Sequence, residues 1–221
     1  MTLSRTVVLM SGLAVALSCG VAEAQPANGA VPKMVTLQMP ATPDPARVTL
    51  DPKTTALMVL DYVEPICNSQ PTCKGQMLSA MTPFMERVRK AGLVVAYGTR
   101  EQNMTKWLKE LAPAPSDIKV ISSAQDRFYN TDLDQALKAK GIKTLIMVGW
   151  KVSGSVTYTS VGAMAHDYTV VIPMDTTSAA SGYETTIGFY NVLNSGNANL
   201  ANEPLKPKAV TLTRTDMITF Q

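Results

Sequence analysis

Apolar positions from residue 54 onward fall into short unbroken runs separated by stretches of helical spacing. Residues 55–61, 93–99, 143–149 and 169–173 are such runs, with briefer ones at 118–121 and 209–213. An unbroken apolar run is what a strand buried on both faces requires, whereas a half-exposed strand alternates. Residues 77–91 place Met81, Phe84, Met85 and Val88 on one helical face and stop at Gly92. Residues 132–140 read as a helix closed by Gly141, 155–166 as a helix of small residues suited to close packing, and 184–193 as a further helix. A shorter helix is expected over 105–111, before the turn at Pro113 and Pro115. Strand and helix therefore alternate, which predicts right-handed βαβ units. The expected fold is α/β: three layers, α-β-α, around a doubly wound, mostly parallel six-stranded sheet.

The pattern changes before residue 54. Arg5 precedes an apolar stretch over 6–21, and Ala22-Glu23-Ala24 matches a small-x-small cleavage site. Residues 1–24 thus read as a signal peptide cleaved after Ala24, and the mature protein as periplasmic or secreted. Gly12, Ser18 and Gly20 dilute a stretch already too short for a membrane span, so no stable membrane insertion is expected. Ala16-Leu17-Ser18-Cys19 offers a competing, weaker reading in which Cys19 is lipidated. Residues 25–53 read as a Pro- and Ala-rich extended arm, leaving 54–221 as the folded domain. Export leaves Cys67 and Cys73 as an even pair in an oxidising compartment, separated by a polar turn; a loop-closing disulfide is the expectation.

Composition narrows the function. Apolar residues at 46% and charged residues at 17% allow a sizeable core. The net charge of +3 is not gathered into a basic stripe with interleaved aromatics, so nucleic acid is not an expected partner. In a doubly wound sheet, ligands bind beyond the carboxyl ends of the strands. That rule directs attention to Asp61 and Tyr62, 99–102, Ser122 and Ser123, and 149–155.

At these strand ends the sequence resembles the isochorismatase-like, or cysteine hydrolase, superfamily. The likeness rests on Ala56-Leu57-Met58-Val59-Leu60-Asp61; on Phe128-Tyr129-Asn130-Thr131-Asp132-Leu133 followed by a helix and the strand at 143–149; and on Tyr168 to Asp175. The resemblance implies a catalytic Asp at Asp61, a Lys shortly before Phe128, and a nucleophilic Cys at the position of Ser155. Ser122-Ser123-Ala124-Gln125 stands where the Lys is expected, so the chain reads as a divergent member lacking both Cys and Lys. The family's metal-using branch needs two histidines, and the chain has only His166. No metal and no organic cofactor are expected.

The residues themselves leave two roles open for each candidate. Asp61, at the end of a buried strand, is placed for general acid or base work, or else for satisfying backbone amides. Ser155, at a helix start, is either a nucleophile needing an adjacent base or a packing residue. Tyr62, Arg100, Ser122, Trp150 and Lys151 are the expected substrate-binding residues, with Arg100 suited to an anion. Asp126 and Arg127 read as a local surface pair. The expectation is an exported hydrolase-like protein with a non-cysteine site centred on Asp61, acting on a small molecule. The alternative is a pseudoenzyme that binds a metabolite or serves as an assembly subunit. The resemblance further implies a homo-oligomer.

Overall fold

Six strands of the central sheet are runs of the expected kind. The computed structural model describes Thr36 and residues 38–221. The predicted signal segment, Cys19 and the start of the arm lie outside the described residues.

Strand β2 (Thr55–Leu60) is buried along its whole length. Its alternate residues feed two cores: Ala56, Met58 and Leu60 face one, Leu57 and Val59 the other. Strands β3 (Val94–Thr99), β4 (Ile118–Ile121), β5 (Thr144–Trp150), β6 (Thr169–Pro173) and β8 (Val210–Thr213) complete a parallel path in the order β4-β3-β2-β5-β6-β8. A two-residue strand, β7 (Thr177–Ser178), pairs with β5 and makes the sheet seven-stranded rather than six. Two residues are too few to register as a run in the sequence.

Helices cover both faces. α2 (Leu78–Lys90) buries Met81, Phe84, Met85 and Val88 on one. On the other lie α3 (Leu133–Lys138), α4 (Thr157–Ala165) and α5 (Gly182–Leu193), through Leu133 and Leu137, Ala163 and Met164, and Phe189, Val192 and Leu193. The three layers and the parallel sheet are thus as the alternation predicts. No helix among the described residues is long and apolar enough to cross a membrane.

Three local expectations are corrected. A short helix, α1 (Glu64–Ser69), follows β2 where no helix is predicted, with Pro65 in its first turn. Within 105–111 only Lys109–Leu111 form a 3-10 turn, because the Val63–Trp107 bridge and the Lys106 carbonyl, which accepts from Glu64 N–H, hold the part before it extended. The third concerns the domain's start, since the last residues of the arm pair with the folded domain. Ala46 donates its N–H to Leu212 O at 2.9 Å, and β1 (Val48–Leu50) pairs in parallel with β9 (Ile218–Phe220). A three-residue strand that depends on a partner 170 positions later (Val48 opposite Ile218) leaves little local signal.

Candidate active site

From β2 the chain leads outward through β3 to β4, then returns to β5 on the other side of β2 and continues to β6 and β8. The direction reverses between β2 and β5, and the crevice above that point is where such sheets bind ligands. Asp61 closes β2, and the turn at 149–155 closes β5.

Two backbone features bring these ends together. Asp61 adopts a left-handed conformation, φ 53°, with its N–H on Gly98 O at 3.2 Å and its carbonyl accepting from Val63 N–H at 2.8 Å. A non-glycine residue held in that region is strained, and such strain concentrates at functional sites. Gly149 has φ 129°, and a Cβ there would stand 1.9 Å from Leu60 O. Only glycine lets β5 pass so close to the end of β2.

The Asp61 carboxylate is the hub. Its Oδ1 accepts from Thr99 Oγ1 at 2.7 Å. Its Oδ2 accepts from Arg127 Nη2 at 2.6 Å and from Ser155 Oγ at 2.8 Å. Arg127 Nη2 also lies 3.1 Å from Ser155 Oγ, so Asp, Arg and Ser meet around one oxygen.

The sequence predicts Arg127 as half of a surface pair with Asp126. Instead it is 1% exposed and forms the buried ion pair with Asp61. Its stem crosses Gly98, where a Cβ would be 2.8 Å from Arg127 Cγ. Its Nη1 donates to Ser122 O at 3.1 Å and Ala124 O at 2.6 Å. The loop carrying it is fastened to α4: Arg127 N–H donates to Thr159 Oγ1 at 3.2 Å, and Thr159 Oγ1 donates to Gln125 O at 3.2 Å. Asp126 turns the other way, onto Phe128 N–H and against Gly162. Burial raises the Asp126 carboxyl above its usual range, against the pull of that backbone hydrogen bond and of the nearby His166 and Arg127. A positive charge thus stands beside Asp61, carried by Arg127 and not by any residue of 122–125. The glycine at 98 and the small residues of α4 were the signal, readable only once β3 and α4 are known to flank it.

The other candidates separate into two groups. Asp61, Arg100, Trp150, Lys151 and Ser155 line one open cleft of about 230 Å³, together with Gln102, Asn103 and Gln125. Ile66 of α1 reaches the same cleft. Lys151 is clamped by Glu184 at the start of α5, which also accepts from Ser153 Oγ at 2.6 Å. The hydrogen bond from Lys151, followed by that from Ser153, holds the Glu184 carboxyl below its usual range.

Tyr62 and Ser122 are not ligand-facing. Tyr62 is fully buried, its hydroxyl donating to Thr176 O at 2.7 Å; burial, then the Asp175 carboxylate, raises its phenol well above the ordinary value. Tyr62 follows the left-handed turn at Asp61, and its ring is directed into the α2-side core. Ser122 Oγ donates to Asp126 O and Tyr129 O, and its own carbonyl holds Arg127. Its part is to shape the Arg127 loop. Cys67 and Cys73 are joined in a disulfide, buried beneath α1 and the turn into α2. His166 stacks on Phe128 at 5.1 Å, away from the cleft.

An α/β domain with an Asp at the end of its central strand, a cation paired to it and a hydroxyl at the start of the next helix defines a hydrolase-like class. Residues 55–201 match the model of the Isochorismatase domain. The chain belongs to that family. Among curated relatives, it is 26% identical over 161 residues to the ureidoacrylate amidohydrolase RutB of Caulobacter segnis, an alignment covering 51% of this chain and 66% of that protein. It is 33% identical over 89 residues to RutB of Rhizobium rhizogenes, covering 40% and 34%. The chain therefore spans between about a third and two thirds of these relatives' length. In fold it is similar to an isochorismatase family protein of Burkholderia thailandensis (TM-score 0.63, 21% identity, 78% and 97% covered) and to N-carbamoylsarcosine amidase of Thermoplasma acidophilum (TM-score 0.60, 20% identity, 74% and 97% covered).

Proposed function

We propose that this protein is an exported hydrolase that cleaves a small amide-type substrate with Ser155 in place of a cysteine and Asp61 as its base. The observation that carries this reading is the 2.8 Å hydrogen bond from Ser155 Oγ to Asp61 Oδ2 at the wall of the cleft. A serine hydroxyl needs a base within hydrogen-bond reach, and Asp61 meets that condition. As Oγ bonds to the substrate carbonyl carbon, its proton passes to Asp61 Oδ2. Arg127 Nη2, 3.1 Å from Oγ, orients the attacking oxygen beside the Asp61 carboxylate with which it is paired. Collapse of the tetrahedral species breaks the C–N bond, and Asp61 returns the proton to the leaving nitrogen. Water then repeats the sequence on the acyl-serine and releases the acid. A guanidinium does not exchange its proton in the working pH range, so Arg127 orients and neutralises without relaying protons. The names of the relatives, an amidohydrolase and an amidase, support an amide-type bond as the target. Export rests on the pattern over residues 1–24.

A second reading, binding without turnover, is favoured by the saturation of Asp61: Thr99, Arg127 and Ser155 occupy both carboxylate oxygens. The test is turnover of a panel of small amides, ureas and esters by wild type, Asp61→Asn, Ser155→Ala and Ser155→Cys. Hydrolysis abolished in the first two variants, with a serine-directed fluorophosphonate labelling wild type but not Ser155→Ala, is the expected result. A folded wild type that neither turns over nor labels, while Ser155→Cys gains activity, identifies a binding protein.

A further inference from the structure

We infer that the Cys67–Cys73 disulfide is a positioning device: it holds α1 and the turn after it as one wall of the cleft, which takes its shape only in the oxidised chain. This holds whether or not the site is hydrolytic. Of the six residues of α1, only Cys67 is buried, and Ile66 beside it lines the cleft. A helix that short does not stand alone in water, and Val63 gives it no side-chain cap. Its start is tied down by Glu64 N–H on Lys106 O at 2.7 Å; beyond that, Cys67 is its anchor. In the turn over 71–77 only Cys73 and Met77 are buried. All three side chains sit in the α2-side core with Tyr62 and Trp150.

The same turn reaches the cleft by a second path. Ser178 Oγ stands 3.2 Å from Thr72 Oγ1 and 3.1 Å from Met77 Sδ. Ser178 belongs to β7, which pairs with Gly149 and Trp150 at the end of β5, and Thr177 Oγ1 donates to Gly149 O at 2.6 Å. The disulfide loop is thus joined to Ile66 along the chain and to Trp150 through Ser178, and both residues line the cleft. With the bond open, two small thiols remain in the core and the segment between them regains the chain freedom that a cross-link removes. Thiol–disulfide exchange closes it: the two sulfurs bond, and a disulfide oxidant takes up two electrons and two protons and leaves as its dithiol.

Hydrogen exchange read by mass spectrometry, with no substrate present, tests this on wild type and Cys67→Ala/Cys73→Ala. In the double variant the amides of 64–77 and of 149–151 are both expected to exchange about tenfold faster, while β2 and β6 keep wild-type protection. Acceleration confined to 64–77, or spread evenly through β2 and β6, overturns the proposal, since the bond is then a local or a global staple. Ser178→Ala keeps the bond and decides the matter if the double variant does not fold. It should speed exchange at 149–151 by at least about threefold and leave 64–70 unchanged. Unchanged exchange at 149–151 in that variant overturns the proposal. Amide hydrolysis at equal rates by wild type and the double variant also overturns it and leaves the hydrolase reading standing. The expected exchange pattern in a protein that hydrolyses no amide does the reverse.

Discussion

At position 127 one residue brings a positive charge to the Asp61 carboxylate from within the core. Removing one partner of a buried ion pair strands the other, at a cost of about 3 kcal/mol or more. Arg127→Met is therefore expected to lower unfolding stability by about that amount, measured by urea denaturation, because the buried Asp61 carboxylate loses its ion-pair partner. Arg127→Lys should lose less, about 1 kcal/mol, since it keeps the charge but not the bonds to the Ser122 and Ala124 carbonyls. An Arg127→Lys cost equal to that of Arg127→Met would show that those two backbone bonds, rather than the charge, hold the site together. The sequence made Asp61 and Ser155 legible because each ends or begins an element whose pattern is strong. It hid Arg127 because a charged residue beside an acidic one reads as solvated surface. What buries it is the bare backbone of Gly98 and the hydroxyl of Thr159, contributed by two other elements.

Among elements, the junction of β2 and β5 sets the geometry of the cleft, and its demands differ along it. Gly149→Ala puts a methyl group into the Leu60 carbonyl, so backbone must move; a loss of about 3 kcal/mol or failure to fold is expected. Unaltered stability in that variant would mean the two strand ends are not in contact. Tyr62 supports the same junction from below. Its folded-state phenol titrates well above its unfolded value near 10, because burial opposes the phenolate. A raised value contributes stability that is complete below about pH 10 and is lost as pH climbs past it. Tyr62→Phe should be less stable than wild type at pH 7 by about 1 kcal/mol, for want of the bond to Thr176 O. The deficit should shrink above pH 10, where only wild type is penalised by ionisation of the unfolded chain. A deficit constant from pH 7 to 11 would show that the phenol titrates normally. Sequence pattern located the long strands and the α2 face because burial on both sides leaves an unbroken apolar record. It missed α1, β7 and the extended course of 105–111, since these are set by contacts from elsewhere: the Val63–Trp107 bridge, and the Thr177 hydroxyl on Gly149 O at 2.6 Å.

Over the whole molecule, the segment before β2 and the C-terminal strand close on one another. Asn202 Nδ2 donates to both Asp44 O and Leu212 O, Thr213 Oγ1 donates to Ala46 O at 2.6 Å, and β1 lies along β9. Arg87 of α2 fixes the far side, with Nη1 on Thr215 O at 2.8 Å and Nη2 on Ile218 O at 2.5 Å, its guanidinium over the rings of Phe84 and Phe220. None of these groups lines the cleft, which lies beyond the carboxyl ends of β2 and β5. Stability and ligand recognition are thus separable by mutation. Ile218, 2% exposed in the α2-side core, is the residue to truncate. Ile218→Ala should cost about 2–4 kcal/mol in a denaturant titration, from lost transfer energy and the cavity left between β9 and α2. Arg87→Ala should cost about 1–2 kcal/mol, since it leaves two backbone carbonyls without their donor. Affinity for a cleft ligand, or turnover of a small amide, measured well below the unfolding transition, should be unchanged in both. A parallel loss of affinity would mean that the terminal clasp reaches the cleft. A continuous route for that runs from Thr215 to the Asp175 carboxylate, at 2.7 Å, and from Thr176 O to Tyr62 beside Asp61. Tyr62→Phe cuts that route without touching the clasp, so comparing its ligand affinity with that of Ile218→Ala decides whether any coupling passes through the phenol.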